Sequence, residues 1–198
     1  HQPVAGIADD GAKKSIGKPG LYVMGAAGLA SANFYGYMAD TLEPEYASLH
    51  TPASPLFSFG FEFEYPLPFR ANKMALAVEA SYFRCSTRKV EGHDDFAVIN
   101  ALKIPLSFRY YFFLSEKTRI YADAFIGMDF SLGSTVYISL NHLNKLSPAL
   151  LYGAGAGMSI GDFRLGIRYS GDGDYLSQRI HFKMEVPTWS MVVAYKFL

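Results

Sequence analysis

With 198 residues, 18 Lys+Arg against 18 Asp+Glu and a formal net charge of +0, the chain has room for one domain and no basic surplus of the kind that binds nucleic acid. Only 18% of residues are charged while 16% are aromatic, including 14 Tyr and 16 Phe, which is a thin polar coat for a water-soluble domain. The single cysteine, Cys85, excludes an intramolecular disulfide and reads as a small half-buried side chain, and no run approaches the roughly 18 consecutive apolar residues of a membrane-spanning helix.

Residues 1–19 form a polar N-terminal segment beginning at His1-Gln2 rather than Met, as expected of an exported chain whose signal peptide has been removed. Residues 20–198 are expected to form a single domain. Its first strand is placed at 21–34, rich in small residues, and a long loop follows at 35–55. The next strand is the clearest. In Phe57-Ser58-Phe59-Gly60-Phe61-Glu62-Phe63-Glu64-Tyr65 every second residue is aromatic, and those between are small or acidic. A helix would scatter these rings around its axis, whereas a period of two puts them all on one face of a strand.

After a modest turn at 66–73 comes a strand at 74–85, then a polar loop at 87–96. In Leu102-Lys103-Ile104-Pro105-Leu106-Ser107-Phe108-Arg109-Tyr110-Tyr111-Phe112, one face carries Leu102, Ile104, Leu106, Phe108, Tyr110 and Phe112, and the other Lys103, Ser107 and Arg109. Pro105 removes a ladder donor, so a bulge or a locally unpaired position is expected there. A tight turn at Ser115-Glu116-Lys117 leads to a strand at 118–130, a long loop at 131–148 and a strand at 149–160. Gly153, Gly155 and Gly157 share one face of that last strand, where they make room for bulky neighbours. Gly161-Asp162 is a very tight turn into Arg164–Tyr169, the long segment 171–187 follows, and a final strand alternates Trp189, Met191, Val193, Tyr195 and Phe197 with Ser190, Val192, Ala194 and Lys196.

Eight strands with connections that alternate between long and short describe an all-β, closed antiparallel up-and-down transmembrane barrel with four long outer loops. Inside a bilayer every backbone group must be paired, so strands cross only as a closed barrel, with the apolar face toward lipid and the polar face toward the lumen. Rings near strand ends, such as Phe57, Tyr65, Tyr82, Tyr110, Phe112, Trp189, Tyr195 and Phe197, are candidates for the two aromatic girdles. The lumen then gathers Glu62, Glu64, Glu79, Asp123 and Asp129 with Lys103, Arg109, Arg119, Arg164, Arg168 and Lys196, a structural charge network expected to fill the narrow interior rather than line a channel.

The strand Leu102-Lys103-Ile104-Pro105-Leu106-Ser107-Phe108-Arg109-Tyr110-Tyr111-Phe112, the glycine-rich Tyr152-Gly153-Ala154-Gly155-Ala156-Gly157-Met158 and the following Arg164-Leu165-Gly166-Ile167-Arg168-Tyr169 resemble the PorT-like outer-membrane β-barrel proteins of Bacteroidetes, which share their architecture with the small OmpA and OmpX barrels. The resemblance implies an outer-membrane barrel of a Gram-negative cell envelope and a scaffold role in secretion or assembly, and it brings no catalytic residue. The chain departs from such barrels at its end, where Phe197 is followed by Leu198 rather than closing on an aromatic residue.

No catalytic, cofactor or metal site is expected. His93 with Asp94 and Asp95, His142, and His181 with Ser177 lie in polar loops without a nucleophile, base and orienting group at a recognisable spacing. The expected role is structural, adhesive or scaffolding, with outer-membrane lipid and lipopolysaccharide around a monomeric barrel. Envelope proteins or extracellular ligands would be met by loops that carry Tyr37, Tyr46, Tyr137 and Tyr175. Two alternatives stand beside it: a lipid-modifying outer-membrane enzyme, and a soluble lipocalin-like barrel whose Phe57–Tyr65 rings would line an internal ligand cavity.

Overall fold

A computed structural model of the chain describes residues 18–37, 46–68, 72–87, 96–115, 117–138, 141–143, 146–175 and 182–198. In chain order the strands are β1 (Gly20–Ala30), β2 (Asn33–Tyr37), β3 (Tyr46–His50), β4 (Ser54–Leu67), β5 (Met74–Ser86), β6 (Phe96–Phe113), β7 (Thr118–Ser131), β8 (Thr135–Ile138), β9 (Asn141–Leu143), β10 (Ala149–Ile160), β11 (Phe163–Asp172), β12 (Phe182–Glu185) and β13 (Thr188–Lys196). Eight of them, β1, β4, β5, β6, β7, β10, β11 and β13, pair antiparallel in a ring that closes between β13 and β1, so the barrel wall has no free edge.

The registers fix the geometry of the ring. Stepping from partner to partner, Gly20, Glu64, Ala77, Ser107, Phe125, Gly153, Ser170 and Thr188 lead back to β1 at Ala30, ten residues from the start. Eight strands with that shift, at about 3.3 Å per residue and about 4.8 Å between strands, tilt by about 40° and enclose a barrel about 16 Å across between backbones. That interior is one that side chains can fill.

The period of two sorts residues as the sequence requires. On β4, Phe57, Phe59, Phe61 and Phe63 are 64%, 65%, 57% and 47% exposed, while Glu62 and Glu64 are 2% and 4% exposed. Val23, Leu76, Leu106, Ile126, Ile167 and Met191 continue the same outer belt on the other strands. The Phe57–Tyr65 rings therefore point away from the lumen, opposite to what a lipocalin-like ligand cavity needs.

The short turns lie at one rim with both ends of the barrel domain, where the Leu21 amide donates to the Leu198 carbonyl (2.9 Å) and the Phe197 amide to the Leu21 carbonyl (3.0 Å). Gly161 has φ +58 at the first position of the two-residue turn between β10 and β11, the backbone a type II′ hairpin needs. The other rim carries the four long connections.

Three details differ from the sequence expectation. The strand expected at 21–34 breaks at Ser31-Ala32, where the Ala32 amide donates to Thr51 Oγ1 (2.8 Å), and from Asn33 the chain joins a second sheet. That sheet, in the order β12-β2-β3, is assembled from two segments expected to be loop, and β8 and β9 make a hairpin beside the start of β6. β6 itself begins at Phe96. At Pro105 the second of the two expected outcomes is found. The β5–β6 ladder skips Glu79 and Ala80 and resumes with the same register, so the strand is locally unpaired and has no bulge.

Candidate functional site

The lumen-facing positions bring the charged residues together in three layers. In the layer nearest the short turns, Arg109 of β6 reaches across to β4 and sideways to β7. Its Nη1 donates to Glu62 Oε1 (2.9 Å) and Glu64 Oε2 (2.5 Å), its Nη2 to Glu62 Oε2 (3.0 Å) and Asp123 Oδ2 (2.9 Å), and its Nε to Asp123 Oδ2 (3.1 Å). Arg164 of β11 joins from the opposite wall, donating to Glu64 Oε2 (2.7 Å) and to Glu62 Oε1, with its guanidinium 4.1 Å from the centre of the Tyr22 ring. The Tyr111 hydroxyl donates to Glu64 Oε2 (2.7 Å) and accepts from Arg164 Nη2 (3.2 Å). Arg109 is fully buried, and so much desolvation is tolerable only because its donors meet three carboxylates in the planar fork geometry that guanidinium provides.

In the middle layer Arg168 Nη1 donates to Glu79 Oε2 (2.7 Å), whose other oxygen accepts from Ser81 Oγ (2.6 Å). In the layer nearest the long loops, Lys103 Nζ lies 3.1 Å from Asp172 Oδ2, 3.4 Å from Asp129 Oδ2 and 4.0 Å from the centre of the Phe83 ring. The Tyr175 hydroxyl sits between the same two carboxylates, 2.6 Å from Asp129 Oδ2 and 2.9 Å from Asp172 Oδ2. Burial beside two carboxylates pushes the Tyr175 hydroxyl well above its ordinary pKa, so it stays protonated as their donor.

Above this last layer the lumen turns apolar. Ala30, Ala32, Leu56, Phe83, Cys85, Ile99, Ala101, Leu146, Ala149, Tyr175, Met184 and Val186 form one buried cluster that joins barrel wall to loop residues and closes the long-loop end. Tyr175 ties it together, since its carbonyl accepts from the Ser147 amide (2.9 Å) and its amide donates to the Met184 carbonyl (3.1 Å). On β12, Met184 points into this plug while Lys183 and Glu185 form an ion pair (2.6 Å) on the other face, where the hydrogen bond to Glu185 raises the Lys183 pKa. On the outer sheet His50 Nδ1 also meets Asn33 Oδ1 (2.8 Å) and packs edge-on to Tyr35.

Two spaces remain between the layers. One of about 40 Å³ is lined by Ser58, Glu79, Lys103 and Arg168, and one of about 10 Å³ by Asp123 and Arg164. A space needs roughly 10–15 Å³ open to the centre of a water molecule to hold one water, so the larger of these has room for a few waters and the smaller for one at most. The β10 glycines face β7: a Cβ on Gly155 would lie 2.5 Å from Asp123 Oδ1 and one on Gly157 2.7 Å from the Tyr121 hydroxyl oxygen, while the Phe125 ring occupies the space at Gly153.

Of the lumen residues named from sequence, Glu62, Glu64, Glu79, Lys103, Arg109, Asp123, Asp129, Arg164 and Arg168 lie in these layers. Arg119 and Lys196 do not: both stand at the short-turn mouth, outside any ion pair among the described residues, with Arg119 4.4 Å from the centre of the Tyr111 ring. Asp172, Tyr111 and Tyr175 were missed. The alternation Arg164, Gly166, Arg168, Ser170 carried two residues further reaches Asp172, and Lys103, Ser107, Arg109 carried on reaches Tyr111. Tyr175, expected on a binding loop, is instead fully buried.

His93, Asp94, Asp95, Ser177 and His181 lie outside the described residues, as do the side chains of Tyr37, Tyr46, Tyr137 and His142. Among the described residues no group of three or more His, Cys, Asp or Glu is placed to hold a metal ion.

No protein-family model matches the chain, and no curated protein matches it. Solved structures do. Neisserial surface protein A aligns at 20% identity with a TM-score of 0.50, covering 91% of this chain and 100% of that one. Ail, the attachment invasion locus protein of Yersinia pestis, aligns at 14% identity with a TM-score of 0.45 over 90% of this chain and 99% of that one. Its complex with the heparin analogue sucrose octasulfate gives 14% identity and a TM-score of 0.47 over the same shares, 90% and 99%. The likeness to the neisserial protein is one of fold: a closed, eight-stranded antiparallel β-barrel of outer-membrane type.

Proposed function

We propose that this chain is an integral outer-membrane β-barrel of a bacterial cell envelope, a sealed anchor that presents its long-loop end as a binding surface. The outer belt of exposed Phe, Leu, Ile, Val and Met supports a lipid-facing wall, since water would leave that surface unsatisfied over the whole circumference. The observation that carries the role is the long-loop end itself. There an apolar plug closes the lumen, and β12, β2 and β3 build a sheet with Met184 inward and Lys183 and Glu185 outward. A conducting protein has no use for such a plug, whereas a binding protein gains a loop surface held in place.

On this reading the barrel is a monomer surrounded by outer-membrane lipid and lipopolysaccharide, and the loops meet envelope proteins or extracellular ligands. The resemblance to PorT-like proteins supports a scaffold role in secretion or envelope assembly. The reading is non-catalytic. A lipid-modifying enzyme, by contrast, would lose activity on replacement of His93, His142 or His181.

Protease added to intact cells should cut within the long connections while the short turns stay protected, and the unboiled protein should migrate differently from the boiled form in detergent gels. In planar bilayers the purified protein should show no steady conductance. Cleavage at the short turns from outside, or sustained open channels, would overturn the reading. Removal of 33–50, the β2–β3 segment, should abolish capture of envelope proteins from a detergent extract and leave heat-modifiable mobility intact.

A further inference from the structure

Each cation in the three lumen layers has a carboxylate within ion-pair distance, but Lys18, Arg119 and Lys196 have none among the described residues. These three share an open cavity of about 340 Å³ at the short-turn mouth, together with Tyr22 and Tyr111. Arg119 and Lys196 occupy inward positions of the strand alternation, Arg119 preceding Tyr121 and Lys196 following Ala194, and Lys18 stands two residues before β1. The one carboxylate in the lining, Glu64, is engaged from below by Arg109, Arg164 and the Tyr111 hydroxyl, so its charge is already neutralised.

Local structure holds Arg119 and Lys196 where they stand. The Arg119 guanidinium is stacked over the Tyr111 ring, and Tyr111 is fixed by its hydrogen bond to Glu64. Lys196 lies across Gly20: a Cβ there would be 2.8 Å from Lys196 Cε and 3.3 Å from Nζ, so the lysine side chain rests against the lumen wall in the space that glycine leaves. A basin with low-dielectric walls, whose positive charges meet no counter-charge among the described residues, focuses potential on its interior. Its size is that of small-ligand sites, which start at about 300 Å³.

We propose that this cavity binds a small oxyanion with two or more acidic groups, held by the fork of Arg119 and the point charges of Lys18 and Lys196. The site lies at the opposite rim from the long loops and does not depend on what the loops bind. An organic phosphate and a polycarboxylate share the required chemistry.

Isothermal titration of the full chain in zwitterionic detergent, with sodium pyrophosphate in one arm and sodium citrate in the other, separates these sources. Saturable binding of one anion per barrel is expected in at least one arm, with affinity reduced about tenfold in Arg119→Gln and in Lys196→Gln by loss of one charge-assisted contact. Arg84→Gln, on the outer face, should bind as the unaltered protein does. In the unaltered protein the bound anion should protect Lys18 and Lys196, but not Lys117 in the exposed turn, from acetylation read by mass spectrometry. Absence of saturable binding in both arms, undiminished binding in both mouth variants, or equal acetylation of the three lysines with and without anion would overturn the proposal.

Discussion

Replacing Arg109 by Met keeps much of the side-chain volume and removes the charge at the centre of the lumen. Glu62 and Glu64 would retain Arg164, but Asp123 would be stranded: Arg109 supplies both donors to its Oδ2, and its Oδ1 has no partner among the described residues. Removing one partner of a buried ion pair costs about 3–5 kcal/mol, because an uncompensated charge is left in a low-dielectric interior. At about 1.4 kcal/mol per decade that is a two- to four-decade fall in the folding equilibrium constant. Reversible urea unfolding in detergent or lipid bilayers would measure it, followed by emission from Trp189, which lies on the lipid-facing wall. Adding Asp123→Asn should return a large part of the loss, since a neutral amide is far less costly to leave buried than a carboxylate. The double variant then separates loss of compensation from loss of packing. A cost below about 1 kcal/mol for Arg109→Met, or no recovery on adding Asp123→Asn, would refute the view that Arg109 is the lumen's central counter-charge.

Three further outcomes follow from the geometry. Phe61→Arg, near the middle of β4 on the outer wall, should destabilise the bilayer-embedded protein by about 2–4 kcal/mol while Leu198→Arg at the rim changes it little, as read from unfolding midpoints; equal effects would contradict a lipid-facing belt. Tyr175→Phe removes the hydroxyl that Asp129 and Asp172 share, leaving them Lys103 alone, and should cost about 1–3 kcal/mol. Hydrogen exchange should show the loss concentrated at the long-loop end, and uniform loosening of the barrel would count against a local latch. Gly157→Val would press a side chain against the Gly166 backbone, where a Cβ already lies 2.6 Å from the Gly166 Cα, and against Tyr121; the expected cost is about 1–3 kcal/mol or a failure to reach the heat-modifiable form, and a neutral result would show that β11 can yield there.

The barrel strands were legible because lipid and lumen impose opposite demands on alternate residues, and that demand acts over the full length of each strand. The parts that escaped are those where alternation no longer decides. β2, β3 and β12 are four or five residues long and owe their pairing to partners from distant segments, such as Lys183 opposite Tyr35 and Tyr35 opposite Ser48. The first strand looked continuous to 34 because nothing in Ser31-Ala32 marks a break; the break comes from Thr51, whose hydroxyl takes the Ala32 amide. Arg119 and Lys196 have the right parity for the lumen network, but parity gives only the face. Their height on the wall places them at the mouth, and height depends on the ten-residue shift around the ring, which no single strand reveals.

That alternation also bears on why the lumen holds ions at all. A buried network of this kind is weak evidence for extra stability, since apolar side chains of similar volume often serve as well or better. β6 shows what the alternative would entail. It runs 18 residues, from Phe96 to Phe113, and its outer face is already apolar throughout 102–112. Were Lys103, Ser107 and Arg109 also leucine, the segment would become an almost unbroken apolar run of about 18 residues, the length at which a stretch of chain reads as a spanning helix. With charge on alternate positions β6 does not meet that description, yet the folded barrel buries Lys103 and Arg109 against carboxylate partners in the lumen. The ion layers therefore let one sequence present a lipid-compatible surface after folding without presenting a lipid-compatible segment before it.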